Sequence, residues 1–409
     1  MLARILEDAG KKFLAEAGLK VPESKTITAP DEITKALDEL GEEVVLKALV
    51  PVGKRKKAGA IKFPSSREEA QEMISELFAM EVREFPVNKV LIEEKVAIEE
   101  EYYISITYDK KSQLPVVITS SAGGIDVEEM SREHPDKIKK YQIDPFIGLP
   151  DYKARELWAE LGFSGKLLRQ LGQITSRVYQ VFTDYDCTTL EINPLVLTAD
   201  QQILPADCVM ATDDLAIFRQ PELEEFVQVG SERLWRPLTE LEKEIVAVNE
   251  AEPYRGTARY IELEGGEIGF MCGGGGGSLV MFDSLMRLGE RPANYTEFGG
   301  NPTATKVYGL AKGIMKKPGV KGLLVCCNIT NNTQVDKVAE GVVKALTELD
   351  KDPAEFPIVV RYAGVNDERG KEIFENAGIE YHGEDITMPE AAEMMVEKIR
   401  QLNSGGGSE

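Results

Sequence analysis

The stretch that most constrains this 409-residue chain is a run of five glycines at 273–277, set between the apolar segment I-G-F-M-C and the amphipathic segment S-L-V-M-F-D-S-L-M-R-L-G. A glycine run this tight between strand and helix has a physical use, because without a Cβ the backbone turns sharply and approaches a ligand closely. Free N–H groups and the positive end of the helix dipole then face whatever anion sits there. A second passage of the same kind follows: the strand G-L-L-V-C-C at 322–327, the polar turn N-I-T-N-N-T at 328–333, and the helix Q-V-D-K-V-A-E-G-V-V-K-A-L. From about residue 257 strands and helices alternate regularly, through F-P-I-V-V-R-Y and I-E-Y to a last helix at 389–402. The pattern predicts a doubly wound α/β domain whose two turns end at one carboxyl edge of a parallel sheet, where such folds bind ligands. No G-x-G-x-x-G reading leads to an acidic residue at the end of the next strand, so a dinucleotide is a poor match.

The first half also alternates. A helix is expected over 2–17 from Leu2, Ile5, Leu6, Phe13 and Leu14, then helix D-E-I-T-K-A-L-D-E-L and strand E-V-V-L-K-A-L-V, a basic loop at 53–59, and a short strand A-I-K-F. A serine-capped helix begins at S-S-R-E-E-A, V-N-K-V-L-I-E-E-K-V is a strand entering a connector, and two alternating strands meet at a lysine-rich turn, 110–111. A helical stretch at 152–182 precedes T-T-L-E-I-N-P-L-V-L-T and I-L-P-A-D-C-V-M. The acidic, proline-marked segment 212–255 reads as the connection, giving domains at 1–240 and 241–402, and N-S-G-G-G-S-E closes the chain as a disordered linker over 403–409.

A formal net charge of −22 argues against nucleic acid or an anionic membrane as partner. No apolar run reaches membrane-spanning length, and the charged N-terminus is not a signal peptide. Cysteines 187, 208, 272, 326 and 327 lack metal-ligand spacing and read as buried thiols of a reducing, cytoplasmic compartment. The two histidines, His134 and His382, have no triad partners around them and read as structural.

Asn193 and Asp207, with Glu191 beside them, offer oxygen donors of the kind Mg²⁺ takes, although carboxylates at strand ends are usually solvated. Lys47, Lys54 and Arg55, with Lys56 and Lys57, fit either a solvated loop or a clamp over a triphosphate. Glu93 to Val96 form a hinge-like segment whose backbone could read an adenine edge, and Glu101 begins the next strand within reach of a ribose.

Together, K-A-G-A-I-K-F, L-I-E-E-K-V…E-E-E-Y-Y-I, S-A-G-G-I-D-V-E-E-M and L-E-I-N-P-L-V resemble an ATP-grasp domain. With G-F-M-C-G-G-G-G-G-S, P-A-N-Y-T-E-F-G-G-N-P-T, V-C-C-N-I-T-N-N-T and V-V-R-Y-A-G-V-N, the resemblance extends over nearly residues 1–402. It is to the nucleotide-binding subunits of the NDP-forming acyl-CoA synthetase superfamily, a layout shared by succinyl-CoA synthetase β subunits and the ATP-grasp-bearing part of ATP-citrate lyases. The resemblance implies an ATP-grasp fold followed by a flavodoxin-like CoA-ligase domain, with mixed α/β and α+β character. It places Lys47, Lys54 and Arg55 on ATP phosphates, Glu93 to Val96 along the adenine, Glu101 on the ribose, and Asn193 and Asp207 on Mg²⁺. One departure is that the synthetases carry Gly-Arg-Gly where this chain has Lys54-Arg55-Lys56.

The second turn also departs from the synthetases, which have N-I-F-G-G where this chain has N-I-T-N-N-T. Directed polar donors suit a larger anion with several carboxylates and a hydroxyl, and the resemblance points to the citrate site of ATP-citrate lyases. It implies contacts from Asn331 and Thr333, from the backbone of Gly275, Gly276, Gly277 and Ser278, and from Arg361 as a bidentate carboxylate partner; as residues alone, Asn331 and Thr333 also read as helix caps. The implied chemistry is a relay through a phosphohistidine to citrate and then CoA. A second subunit would carry that histidine, the CoA site and a citrate-synthase-like module. The alternatives are a β subunit of a succinate- or malate-CoA ligase, and a non-catalytic scaffold whose altered loop no longer meets phosphate.

Overall fold

The computed structural model describes residues 2–124, 131–227 and 236–405. It divides into two compact units, Met1–Pro237 and Leu238–Glu409.

The first unit holds two larger antiparallel sheets and a two-stranded one, Glu81–Val82 with Phe85–Pro86. In the four-stranded sheet, the order is Ser24–Ile27, Val90–Glu94, Val44–Ala48, Ile61–Lys62. Helices Ile33–Leu40 and Arg67–Phe78 cover it, burying Leu37, Ile74 and Leu77 against Leu46 and Ile92. Ser66 caps the second of these helices by accepting the Glu69 N–H. In the larger sheet Cys187–Thr198 and Ile98–Tyr108 lie at the centre, flanked by Val209–Asp213 and Leu2–Ile5 on one side and by Pro115–Ser120 and Ile138–Gln142 on the other. Ile203–Pro205 pairs off the Cys187–Thr198 strand. Phe13, Tyr102, Trp158 and Leu190 lie in its core.

Two expectations for this unit change. The N-terminal helix starts later: Leu2–Ile5 is a strand paired with residues 210–213, and helix Glu7–Glu16 follows it. Ala3 and Ile5 are buried while Arg4 between them is not fully so, the period of two that a strand requires. The stretch 152–182 is two helices, Asp151–Ala159 and Gly165–Asp184, separated at Gly162 with φ 92°. They are rejoined by the buried hydrogen bond from Trp158 Nε1 to Thr175 Oγ1, 2.8 Å.

The second unit carries a parallel sheet in the order Ile268–Cys272, Gly322–Gln334, Ile358–Val365, Glu380–His382. An antiparallel pair, Thr257–Glu262 with Asn294–Gly299, adjoins it through bridges at Ile268–Pro292 and Gly273–Phe298. Alternate residues of the parallel strands enter separate cores on the two faces: Met271, Leu323, Val325 and Val360 on one, Phe270, Leu324, Cys326 and Val359 on the other. That alternation makes the unit doubly wound. The last helix, Met388–Gly405, outruns the expected one, held by Asn403, which accepts from Lys321 Nζ and donates to Glu267.

The second polar turn is not a turn. The strand continues through Gln334, and the helix begins at Val335. Its register with Ile358–Val365 runs Ile329↔Ala363, Thr330↔Gly364, then jumps to Gln334↔Val365, so residues 331–333 form a bulge without partners in that ladder. Gly364 makes this possible: at φ 145° it packs so close that a Cβ there would lie 2.3 Å from the Thr330 carbonyl oxygen.

Candidate functional site

In the first unit two of the three expected phosphate residues, Lys47 and Arg55, converge on an ion cluster in which all but one member is almost wholly buried. Strand Val44–Ala48 supplies Lys47, the loop after it Arg55, strand Val90–Glu94 supplies Glu93, and the turn after Ile203–Pro205 supplies Asp207. Helix Glu7–Glu16 adds Glu7 and Lys11, one turn apart on its inner face, which sequence reasoning missed. Lys47 Nζ donates to Glu7 at 2.9 Å, to Glu93 at 2.6 Å and to the Ala206 carbonyl at 2.6 Å. Lys11 Nζ meets the same three partners: Glu7 at 2.8 Å, the Ala206 carbonyl at 2.9 Å, and Glu93. Arg55 gives Nη1 to the Ala48 carbonyl at 3.0 Å and Nη2 to both Glu7 and Asp207, the latter at 2.8 Å.

Burial alone would raise the Glu7 carboxyl, but Lys11, Lys47 and Arg55 outweigh it and hold the group well below the usual carboxylate range. Burial works against the charge of Lys47 and Arg55 too, and there the carboxylates prevail, raising both above their ordinary values. The Glu93 side chain is engaged by Lys11 and Lys47, and its backbone stands in register with Ser24 and Val45. Val96 remains available, half-buried in the connector between Val90–Glu94 and Ile98–Tyr108 with no backbone hydrogen bond among the described residues. Glu101 is half-buried beside Gly124, whose Cβ would meet its carboxylate. Lys54 is exposed, at φ 64°.

Asn193 and Asp207 flank the same end of a hairpin in which Leu195 pairs with Pro205. Asn193 Oδ1 accepts from the Gly124 N–H at 2.8 Å. Asp207 Oδ1 accepts from Arg55 and from the Cys208 N–H, and its side chain keeps 27 % of its exposure. Burial raises the Asp207 carboxyl, Glu7 adds to the rise, and Arg55, Lys47 and Lys11 only partly oppose it. Burial likewise raises Glu191, which accepts from the Tyr103 hydroxyl at 3.2 Å and feels Asp207. Among the described residues no three His, Cys, Asp or Glu converge on a metal. A magnesium ion that keeps its waters and shares a phosphate needs only one or two protein oxygens. Oxygen donors whose charge is penalised by burial and by one another fit such a cation, which would stabilise both ionised forms.

In the second unit strands Ile268–Cys272 and Gly322–Gln334 are direct parallel neighbours; the first ends at Cys272, opposite Cys326, and the second runs on to Gln334. Gly274, at φ 77°, caps helix Gly275–Arg287 and donates its N–H to the Phe298 carbonyl. The N–H groups of Gly275, Gly276 and Gly277 make no hydrogen bond to the described residues and lie in the helix's first turn. Ser278 departs from expectation: its N–H bonds to Gly274, and its buried hydroxyl to the Gly275 carbonyl and the Tyr295 hydroxyl, each at 2.8 Å. Tyr295 in turn donates to Glu297 at 2.7 Å. Asn331 and Asn332 are exposed on the bulge, as is Asn328 ahead of it, whereas Thr333 is turned inward, 3 % exposed, with its hydroxyl on Asn332 Oδ1. Arg361 lies within strand Ile358–Val365, in register with Cys326 and buried; Nε donates to the Ile386 carbonyl at 3.1 Å and Nη1 to the Cys327 carbonyl at 2.7 Å, so its two-pronged grip is already partly used. Asn301, from the loop after strand Asn294–Gly299, accepts from the Gln334 N–H at 3.4 Å and joins this edge; it too was missed.

All five cysteines are buried and free. Burial lifts the Cys327 thiol to about 11, so it stays protonated under the glycine turn. His134 is exposed, and His382 is held between Asp385 at 2.9 Å and Glu380 at 3.1 Å.

Residues 4–197 match the ATP-grasp domain family, and residues 236–399 match the ATP citrate lyase citrate-binding family. The succinate–CoA ligase [ADP-forming] subunit beta of Ignicoccus hospitalis is 38 % identical over 376 residues, 92 % of this chain and 94 % of that protein. The succinate–CoA ligase [GDP-forming] subunit beta of Thermus thermophilus is 36 % identical over 393 residues, 95 % of this chain and 98 % of that one. ATP citrate lyase from Methanothrix soehngenii, solved in complex with citrate and coenzyme A, shares the fold with a TM-score of 0.80 at 24 % identity, over 97 % of this chain and 100 % of that chain. An ATP-grasp domain followed by a citrate-binding domain, in a chain that aligns nearly end to end with these ligases, belongs to the family of succinate–CoA ligase β subunits.

Proposed function

We propose that the chain is the nucleotide- and citrate-binding subunit of an ATP citrate lyase. The observation that carries this reading is the edge of the second unit. Three glycine amides at a helix N-terminus, unbonded among the described residues, follow a strand whose parallel neighbour carries the exposed Asn328, Asn331 and Asn332 beyond Cys326. Amides suit one carboxylate, and directed side-chain amides suit the further carboxylates and hydroxyl of citrate. The match of residues 236–399 to a citrate-binding family supports it.

In the first unit Lys47 and Arg55 would hold the phosphates of ATP, Val96 the base and Glu101 the ribose. Asn193 and Asp207 would hold Mg²⁺, which offsets charge on the phosphates. The terminal phosphoryl group passes to a histidine and then to a citrate carboxylate, and the CoA thiol displaces phosphate to give citryl-CoA. Breaking the bond between the hydroxyl-bearing carbon of citryl-CoA and the methylene beside its thioester, with the thioester kept and the hydroxyl becoming a ketone, yields acetyl-CoA and oxaloacetate. His382 is engaged by two acids and His134 lies on a surface segment, so the phosphorylated histidine is assigned to a second subunit. That subunit also carries the CoA site and the cleavage module.

The names of the curated relatives favour a second reading, a β subunit of a succinate-CoA ligase. Calorimetric titration of citrate, succinate and malate separates the two. The lyase reading expects heat from citrate with succinate silent, and citrate-dependent acetyl-CoA formation once the partner subunit is added. Succinate binding with citrate silent would sink it.

A further inference from the structure

The cations expected to meet phosphate have few donors left to offer. Lys47 uses all three N–H groups on Glu7, Glu93 and the Ala206 carbonyl, and Lys11 uses its three on the same partners. Arg55 bridges Glu7 and Asp207 through Nη2 while Nη1 holds the Ala48 carbonyl. Three cations thus face three carboxylates. A bare polyphosphate would have to draw Lys47 and Arg55 away from carboxylates left behind without partners, which is costly when the group is buried. A polyphosphate carrying a divalent cation brings a replacement: the metal takes the Asp207 carboxylate as Arg55 leaves it.

We propose that the Glu7–Arg55–Asp207 bridge is a charge latch that admits the nucleotide only as its metal complex, with Glu7 a positioning residue that keeps Lys47 and Arg55 converged until the phosphates arrive. The latch rests on the nucleotide reading given above. It explains why an arginine meant for phosphate is parked on the residue meant for the metal.

The test is calorimetry on the full chain, with ATP titrated in Mg²⁺ and again in EDTA, after melting curves confirm that each variant folds. Asp207→Asn opens the latch, so metal-free ATP should bind ~10-fold more tightly than to the native chain, a change of about 1.4 kcal/mol. In an Arg55→Gln background the same substitution should give no gain, since the double-mutant cycle isolates the pair. A gain that persists without Arg55 is mere relief of repulsion between Asp207 and phosphate and overturns the latch, as does no gain at all. Should Asp207→Asn not fold, Asp207→Ser takes its place in the same cycle. A native chain that binds no magnesium nucleotide fails the nucleotide reading itself; one that binds it, with Asp207→Asn unchanged towards metal-free ATP, fails only the latch.

Discussion

Lys54 holds a φ of 64°, in the left-handed region where a side chain costs about 1–2 kcal/mol and glycine almost nothing. The loop that resembles Gly-Arg-Gly has thus kept a glycine-like backbone while gaining a lysine. Lys54→Gly is expected to stabilise the first unit by about 1 kcal/mol, read from urea unfolding. Glu7 is the opposite case, a charge that cannot be spared. Glu7→Gln leaves three buried cations short of an anion and should cost about 3–5 kcal/mol. The sign with pH follows from its depressed carboxyl. The stability Glu7 contributes is complete above the ordinary glutamate value of about 4.3 and is lost as pH falls towards its lower value in the fold. Melting of the native chain should therefore fall more steeply between about pH 5 and pH 3 than melting of Glu7→Gln. The sequence made Lys47, Arg55 and Asp207 legible because charges beside apolar strands are conspicuous. Glu7 and Lys11, four apart on a helix, look like any solvated i,i+4 pair, and only the tertiary fold buries them.

Among the elements, periodicity identified strands Ile268–Cys272, Ile358–Val365 and Glu380–His382 with the helices that follow them, each having one clear apolar stripe or run, but missed strand Asn294–Gly299 and helix Ala304–Lys316. It failed where one spacing served two structures. Leu2, Ile5 and Leu6 satisfy a helical period, yet pairing with residues 210–213, far along the chain, makes the first four described residues a strand. The polar turn at 328–333 failed differently, since nothing local announces that a glycine on the neighbouring strand lets the backbone continue past it. That makes Gly364 a lever on the edge proposed to hold citrate. Gly364→Ala forces a Cβ against the Thr330 carbonyl at a φ few side chains adopt, and should cost about 2 kcal/mol or more. Citrate affinity should fall with it while binding of the magnesium nucleotide is unchanged, both by calorimetry. Loss of both together would place the damage in general folding.

For the whole molecule, the two units have separate cores, and the expected ligands divide between them. A ligand at ~100 times its dissociation constant stabilises what it binds by about 2.7 kcal/mol. Scanning calorimetry should accordingly show magnesium nucleotide raising one part of the unfolding transition and citrate another; equal shifts of one transition by either ligand would show that the chain unfolds as a single cooperative block. No helix among the described residues is long and apolar enough to cross a membrane. The pairing of Leu2–Ile5 with Met210 to Asp213 also bears on how the chain is made. At ribosomal speeds of about 5–20 residues per second, the first strand waits roughly 10 to 40 s for its neighbour to be synthesised. Until Ala206 emerges, Lys11 lacks one of its three partners, so a residue made 195 positions earlier settles only when that segment arrives.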